Sequence, residues 1–416
     1  MSATRTASVA VVGAGIVGLS CAHALMQRGY DCTVVDARGP GEATSFGNAG
    51  SISVGNVLPQ STPGILRKGL RMLADPLSPL KLDWPRWPHY ARWLVDFVRN
   101  GRAEAVAPII DALHALNAAA RDAWIDLAAD IGADDLLAHT GYLHVYSEDA
   151  SFAAGAWERA LMQERRVRFD VLDGAELRSL EPGIGAGFRH AVFQRDALAM
   201  RDPGRFCTRL ADALVARGMR SVVANVSAIE PTAGGYVLRG DTGDLRADKV
   251  VIAGGVWSNR LLAPFGRRVP VVPARGYHLM YPPQEAPVVG RPTLWAERYM
   301  VVSPMRAGIR MTSIKELTAL DTAPRFGLIH RLDGEARKLF PALAAAPASE
   351  WAGLRPCTPD SLPVIDRVGD AEVWLATGHG HLGLTQAPIT GRLVAESMSG
   401  VPTSLPLAPY RIDRFR

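Results

Sequence analysis

Cysteine is scarce in this chain: there are four in 416 residues, Cys21, Cys32, Cys207 and Cys357, far apart and with no C-x-x-C pair. That excludes a disulfide framework and a cysteine zinc site, and it suits a reducing compartment. Long apolar runs are absent too, none reaching the roughly 18–20 residues that a membrane-spanning helix needs. The first strand begins at about Ala7, which leaves no room for a signal peptide. Charge of one sign is also lacking, with 46 Lys and Arg against 41 Asp and Glu. No basic block alternates with aromatics, so nucleic acid is not an expected partner. There is no internal repeat and no low-complexity segment. The expectation is a cytoplasmic protein, at most peripheral on the inner face of the cytoplasmic membrane. Its 48% of hydrophobic residues can fill substantial cores in two or three domains.

What the chain has in quantity is glycine, 40 residues of it. The stretch Val9–Ser20 reads as a buried parallel strand, a glycine turn and the first turn of a helix. Gly13, Gly15 and Gly18 fall at the G-x-G-x-x-G spacing. The first glycine allows the tight turn, the second lets a pyrophosphate approach the backbone, and the third lets helix and strand pack closely. The helix start offers unpaired N–H groups and a positive dipole end to phosphates. A helical pattern then runs from about Ile16 to Arg28, and Gly29 ends it. The second strand, Cys32–Val35, ends at Asp36, where an acid binds an adenosine ribose. A glycine turn in an unrelated α/β protein is the alternative. Next, Thr44–Ser53 is dense in small residues and hydroxyls, which suits an ordinary loop or a backbone laid against a planar ring.

Further along, Trp84, Trp87 and Trp93 alternate with Arg86, Arg92 and Arg99, with a helix from about Pro88. Two readings stand open: an interfacial segment touching a membrane, and a helix packing its aromatics internally. Helical spacing continues over Ile109–Ile131, and Gly141–Tyr146 reads as a strand. Helices are expected over Ala153–Arg165 and Pro203–Arg217. A strand is expected over Ser221–Ile229 around Val226, then a strand–turn–strand over Tyr236–Leu238 and Leu245–Asp248. Lys249–Gly255 is a buried strand ending in glycines. Val269–Tyr281 and Tyr299–Ser313 alternate like strands of a second, more antiparallel sheet, and Ile329–Phe340 is a helix. Val373–Thr377 then leads through Gly378–Gly383 into a long helix ending near Ser399. The opening logic is thus repeated at the other end of the chain. The fold class expected is α/β, a Rossmann-type domain of discontinuous segments plus an α+β domain with a mixed, largely antiparallel sheet. Residues 1–80, 155–258 and 350–416 are expected to form the first domain, and 81–154 and 259–349 the second.

Five segments in order, GAGIVGLS (Gly13–Ser20), TSFGNAGSIS (Thr44–Ser53), VIAGGVWS (Val251–Ser258), GLRPCTPDSLPVI (Gly353–Ile365) and TGHGHLGLT (Thr377–Thr385), carry a resemblance over nearly the whole chain. It is to flavin-dependent amine oxidoreductases of the D-amino-acid oxidase type, and within them to bacterial D-amino acid dehydrogenases. The resemblance implies a glutathione-reductase-like FAD domain and a substrate domain. Gly13, Gly15, Ile16, Val17 and Gly18 would then contact the pyrophosphate. Asp36, with Ala37 and Arg38, would serve the adenosine ribose. Ser45, Asn48, Ala49, Gly50 and Ile52 would line the flavin ring, and Val226 the adenine. Gly254 and Trp257 would lie near the phosphates, while Gly380, His381, Leu382, Gly383, Leu384 and Thr385 would serve the ribityl and pyrimidine end. Arg355 would anchor the substrate carboxylate as the catalytic residue, with Tyr277 and Tyr299 as further substrate-binding candidates. Where relatives with covalent flavin carry a cysteine, this chain has Gly353, so FAD is expected to be non-covalent. Related oxidases place a lysine over the flavin; Arg310 is matched to it here, which favours a quinone or other carrier over O2. The implied activity is oxidation of D-amino acids or cyclic D-imino acids such as D-proline. A glycine/sarcosine-type oxidase using O2 and a non-catalytic flavin-binding redox sensor are the alternatives. The second glycine turn speaks against a nicotinamide enzyme. No metal is expected, since no cysteine or carboxylate cluster stands beside His379 and His381.

Overall fold

The computed structural model describes residues 6–285, 288–343 and 346–415. In chain order the elements that position the site begin with strand β1 (Ser8–Val12), helix α1 (Ile16–Gln27), strand β2 (Asp31–Asp36) and the long helix α2 (Ala103–Asp130). Strands β3 (Lys249–Ile252), β4 (Val272–Tyr281), β5 (Gly308–Leu317), β6 (Ser349–Cys357) and β7 (Val373–Thr377) follow, and helix α3 (Gly383–Met398) closes the series.

One sheet is six-stranded, in the order Arg220–Val223, β2, β1, β3, β7, Val364–Arg367. All neighbours run parallel except the last pair. Its inner strands are apolar runs because both faces are covered, and Ala10, Val11, Val250, Val251 and Leu375 are fully buried. On one face α1 crosses α3 at closest contact where Gly391 lies on Ser20, so that a Cβ at Gly391 would meet Ser20 O at 2.3 Å. Trp124 of α2, fully buried, donates its indole N–H to Leu384 O (3.0 Å) and Thr385 O (3.1 Å). α2, expected in the second domain, therefore packs in the core of the first. Its apolar face, with Leu113, Leu116 and Trp124, is buried in the same cluster as Leu19 and Leu393.

The second sheet has nine strands and is mixed. Its order is β6, β4, β5, Met300–Met305, Thr293–Trp295, Tyr142–Tyr146, His190–Gln194, Phe169–Asp173, with Leu80–Leu82 alongside β5. Two strands from the 155–258 stretch thus lie in this sheet rather than the parallel one. His190–Gln194 pairs antiparallel with Tyr142–Tyr146 on one side and with Phe169–Asp173 on the other, a register that apolar alternation alone does not assign to a sheet.

Three other expectations change. The single strand over Ser221–Ile229 is two: Arg220–Val223 closes the parallel sheet, and Val226–Thr232 opens a separate antiparallel meander. The break falls where Ala224 N bonds Asp36 O (2.8 Å) and Asn225 N bonds the Asp241 carboxylate (2.8 Å). Tyr299–Ser313 folds as a hairpin, Met300–Met305 against β5, turned at Gly308 with φ +137°. Ile329–Phe340 holds two short helices, Gly327–His330 and Asp333–Leu339. The tryptophan segment divides as well. Trp93 is buried, stacked on Phe97 (4.8 Å) and donating to Cys357 O (2.9 Å), while Trp84 and Trp87 stay exposed. Among the described residues no helix is long and apolar enough to cross a membrane.

Candidate functional site: two glycine turns and a bulged strand

The first glycine turn sits at the carboxyl end of β1. Gly13 has φ +118°, and a Cβ there would come within 2.5 Å of Ala253 O. A Cβ on Gly18 would meet Gly13 O at 1.9 Å, so this glycine lets α1 lie against the turn. Gly15 caps α1 without a side-chain hydrogen bond. Ala14 N donates to Asp36 (2.8 Å) and Ile16 N to Ser45 Oγ (2.9 Å). The N–H groups of Gly15, Val17 and Gly18 find no protein acceptor among the described residues. Asp36 also accepts from Arg38 N (2.9 Å), leaving lone pairs of its carboxylate for another donor. Ala37 and Arg38 are exposed, and the Arg38 guanidinium lies 5.8 Å from the centre of the exposed Trp257 ring. Gly254 precedes Trp257 in a short turn after β3, and Val226 is buried next to Ala224 at the sheet edge.

The loop Thr44–Ser53 is stapled from several sides. Asn48 spans it, donating to Ser45 O (2.7 Å) and accepting from Gly50 N (2.8 Å). Ser303 Oγ donates to Ala49 O (2.7 Å), and Arg310 donates to Phe46 O (3.0 Å) and Asn48 O (2.8 Å). Gly50 turns at φ +69° against Met200, and the fully buried Ile52 pairs with Leu198. Ser53 N then donates to Thr385 Oγ1 (3.1 Å), joining this loop to the second glycine turn.

That second turn follows β7. Gly378 and Gly380 have φ of +81° and +56°, and Gly380 N bonds Pro356 O (2.9 Å). Leu382 caps α3 with no side-chain hydrogen bond, and the N–H groups of Gly383, Leu384 and Thr385 have no acceptor among the described residues. Two uncapped helix N-termini therefore open at the carboxyl ends of β1 and β7, strands separated only by β3. This is where a doubly wound sheet binds its ligand. His379 is buried, shares a hydrogen bond with Thr390 Oγ1 (3.0 Å), and burial drives its pKa down to about 3. It shapes the turn. Among the described residues no group of His, Cys, Asp and Glu could hold a metal ion.

Arg355 rises from β6 next to this turn. Its guanidinium crosses the bare Cα of Gly276 on β4, where a Cβ would meet Arg355 Nη2 at 2.2 Å, and Nη1 donates to Ile314 O (3.1 Å) on β5. That carbonyl is presented by a bulge. Arg275 pairs with Glu316 and Tyr277 with Ser313, so Ile314 and Lys315 together face Gly276. Ile314, β-branched, is held at φ +67°, a conformation costing of order 1–3 kcal/mol. Bulges of this kind re-aim side chains beside functional sites. Here the re-aimed side chain is Lys315, which donates to Gln60 Oε1; Gln60 in turn donates to His381 Nδ1 (2.6 Å). The His381 ring is accessible yet desolvated, and burial with the nearby Arg355 and Lys315 lowers its pKa to about 3. The exposed His381 and the half-buried Arg355 and Lys315 border one solvent-accessible opening. The His381 ring is neutral and accepts at Nδ1.

Several expectations need correcting at this end. Tyr277 is buried on the opposite face of β4 from Gly276, its hydroxyl donating to Glu316 and accepting from Arg325 N (3.0 Å). Strand alternation turns it away from the opening. Tyr299 lies at a surface turn, 44% exposed, under Lys68 Nζ at 5.0 Å from its ring. Arg310, matched to the lysine of related oxidases, is buried and occupied with the carbonyls of Phe46 and Asn48, burial lowering its pKa to about 10. The sequence reading missed Lys315 and Gln60. The one available signal was a lysine placed between Ile314 and Glu316 in a strand that is otherwise mostly buried. It also missed Trp351, which covers Gly47 and Gly353, so that a Cβ on either would run into its ring, and which stacks on His278 (5.3 Å).

Set against known proteins, the chain matches the family model DAO, FAD dependent oxidoreductase, over residues 8–397. A D-amino-acid oxidase of Bradyrhizobium diazoefficiens is 33% identical, the alignment covering 98% of each chain. A D-amino acid dehydrogenase of Granulibacter bethesdensis is 32% identical over 98% of this chain and 99% of its own. Among solved structures, glycine oxidase from Geobacillus kaustophilus superposes with a TM-score of 0.79 at 21% identity, covering 98% of this chain and 99% of that one. L-proline dehydrogenase from P. horikoshii gives 0.74 at 19%, covering 99% and 98%. At such identities the structures speak for the fold. The free N–H groups at two helix starts, the glycines that keep the first turn bare, and the spare lone pairs of Asp36 fit an FAD molecule.

Proposed function

The chain belongs to the FAD dependent oxidoreductase family, and from that premise we propose that it oxidises D-amino acids, or cyclic D-imino acids such as D-proline and D-hydroxyproline, to the imines. FAD-dependent amino acid oxidoreduction is the common activity of its relatives' names. When bound, FAD supplies the acceptor for the hydride that leaves the substrate Cα. The rest of the work falls to this chain's residues. In our reading the N–H groups of Gly15, Val17 and Gly18 take the pyrophosphate, Asp36 the ribose hydroxyls, and the start of α3 an electron-rich edge of the ring system. FAD is held non-covalently, since Gly353 is covered by Trp351 and Cys357 is buried.

The observation that carries the substrate assignment is Arg355, a guanidinium with one protein hydrogen bond and four N–H donors to spare among the described residues. A guanidinium fork fixes a carboxylate at two points, which orients Cα as well as binding it. No acid–base residue is required if the amine arrives neutral. We assign the electrons to a quinone or another non-oxygen carrier, because Arg310 is committed to the loop carbonyls.

The test is an anaerobic visible spectrum of the purified protein titrated with paired D- and L-amino acids, D-proline and hydroxyproline isomers included. We expect the flavin band near ~450 nm to bleach with D-isomers alone, and the reduced protein to be reoxidised faster by a soluble quinone than by air. Bleaching by L-isomers, or by none, refutes the substrate assignment; fast peroxide formation in air refutes the acceptor.

Gly276→Ala separates the anchor from the cofactor. Its Cβ would sit 2.2 Å from Arg355 Nη2, so the guanidinium must move while both glycine turns stay as they are. We expect flavin content and Tm to match the parent and the rate of flavin reduction at low substrate to fall about tenfold, the equivalent of half of one two-pronged contact. An unchanged rate would show that the guanidinium position does not matter.

A further inference from the structure

Three charged residues lie on β5, and two of them are committed elsewhere, although Arg310 keeps a buried Nε without a hydrogen-bond partner. Arg310 is bonded to the loop carbonyls, and Glu316, fully buried on the other face, meets Arg325 and Tyr277 and lies 3.9 Å from Arg275. Lys315 is different. Its ammonium is held by neutral groups only: Gln60 Oε1, and the rings of Trp93 (5.3 Å) and Phe97 (5.4 Å). Among the described residues no carboxylate lies within ion-pair distance of Lys315 or of Arg355. Gln60 and neutral His381 adjoin Lys315 and bring no negative charge, and the one acidic group beside both cations is the buried thiol of Cys357. The bulge at Ile314 spends backbone strain to aim one of these cations and to supply the carbonyl that steadies the other. Burial and the neighbouring Arg355 lower the pKa of Lys315, so two cations set toward one opening without a carboxylate are costly to keep charged, and a ligand that brings negative charge offsets that cost. One α-carboxylate satisfies Arg355. Two of the three ammonium donors of Lys315 remain.

We propose that Lys315 receives a second acidic group, so that the preferred substrates are dicarboxylic amino or imino acids. This rests on the reading of Arg355 as the α-carboxylate anchor and names the substrate class of the same site. The aromatic platform of Trp93 and Phe97 keeps the ammonium in place while leaving its remaining N–H groups free, which a protein carboxylate in the same position would not.

The test compares the holoenzyme's reduction by D-aspartate with D-asparagine, and by D-glutamate with D-glutamine, pairs alike in shape and different in charge. We expect the parent to favour one acid over its amide by about tenfold or more in kcat/KM, and Lys315→Met to bring that ratio close to one, with Lys315→Arg retaining part of it. Equal use of acid and amide by the parent overturns the proposal, although reduction by neutral D-amino acids would still uphold the function proposed above. A Met variant that loses both partners of a pair equally shows that Lys315 shares the α-carboxylate with Arg355. One that keeps the ratio and changes only reoxidation by O2 shows that it serves the flavin side; either result overturns the proposal. Should no amino acid reduce the flavin, ligand-induced changes in its spectrum give a second readout. Succinate should then bind about tenfold more tightly than succinamate to the parent and equally to Lys315→Met, and equal binding to the parent overturns the proposal.

Discussion

Replacing Arg355 with Leu is expected to leave a yellow protein that amino acids reduce poorly. Hydrogen bonds to a charged group are worth about 1.5–3 kcal/mol each, and a fork makes two of them. Removing the fork therefore costs about 3–6 kcal/mol of binding to substrate and transition state, or roughly two to four orders of magnitude in kcat/KM if nothing compensates. Lys315 next to the bulge retains part of the attraction for a carboxylate, so a loss of at least about tenfold is the lower bound. FAD content should not change, because among the described residues the guanidinium has one hydrogen bond, to Ile314 O on the nine-stranded sheet, and none to either glycine turn. Arg355→Lys keeps the charge without the fork and should fall between. Stopped-flow reduction under anaerobic conditions reads the effect directly. Full activity in the Leu variant would remove Arg355 from the site.

Gly13→Ala should act at the other end, on the cofactor. A non-glycine residue at φ +118° is strained by about 1–3 kcal/mol, and its Cβ would stand 2.5 Å from Ala253 O and 2.8 Å from the carbonyl carbon. Neither neighbour is a flexible side-chain tip; both belong to the backbone just after β3, in the middle of the sheet. The turn must open, and with it the N–H groups of Gly15, Val17 and Gly18 lose their common aim. We expect bound flavin, measured as the ratio of absorbance near ~450 nm to that near ~280 nm, to drop at least about tenfold at equal protein. Circular dichroism should show the secondary structure retained. A folded variant with a full complement of flavin would mean that the first turn does not hold the pyrophosphate.

The two variants separate two kinds of information. The opening strand, turn and helix are legible as a string because every requirement is local. An apolar run makes a doubly covered strand, glycines two and then three residues apart make the turn, and an acid follows at the next strand end. The same holds for the turn before α3. The position of α2 was not legible, because its apolar face would suit either domain. What decides it is the bond from Trp124 to the first turn of α3, a contact across about 260 residues of chain. The break at Ala224 was hidden as well: an apolar run does not say where a strand leaves one sheet for another. Tyr277 shows a subtler limit. Alternation places Arg275 and Tyr277 on one face and Gly276 and His278 on the other, but only the packed sheets show which face meets the opening.

From the sequence alone, the two glycine turns that fit FAD were determined, since the spacing of a few glycines encodes single turns with bare backbone N–H groups. The proposed substrate end was decided by tertiary structure. Gln60, Lys315, Arg355 and His381 come from four distant segments, and their meeting depends on strand order, register and one bulge. Side-chain convergence of that kind has no local code: one residue inserted in β5 changes which side chain reaches the opening, while the apolar pattern around it barely changes.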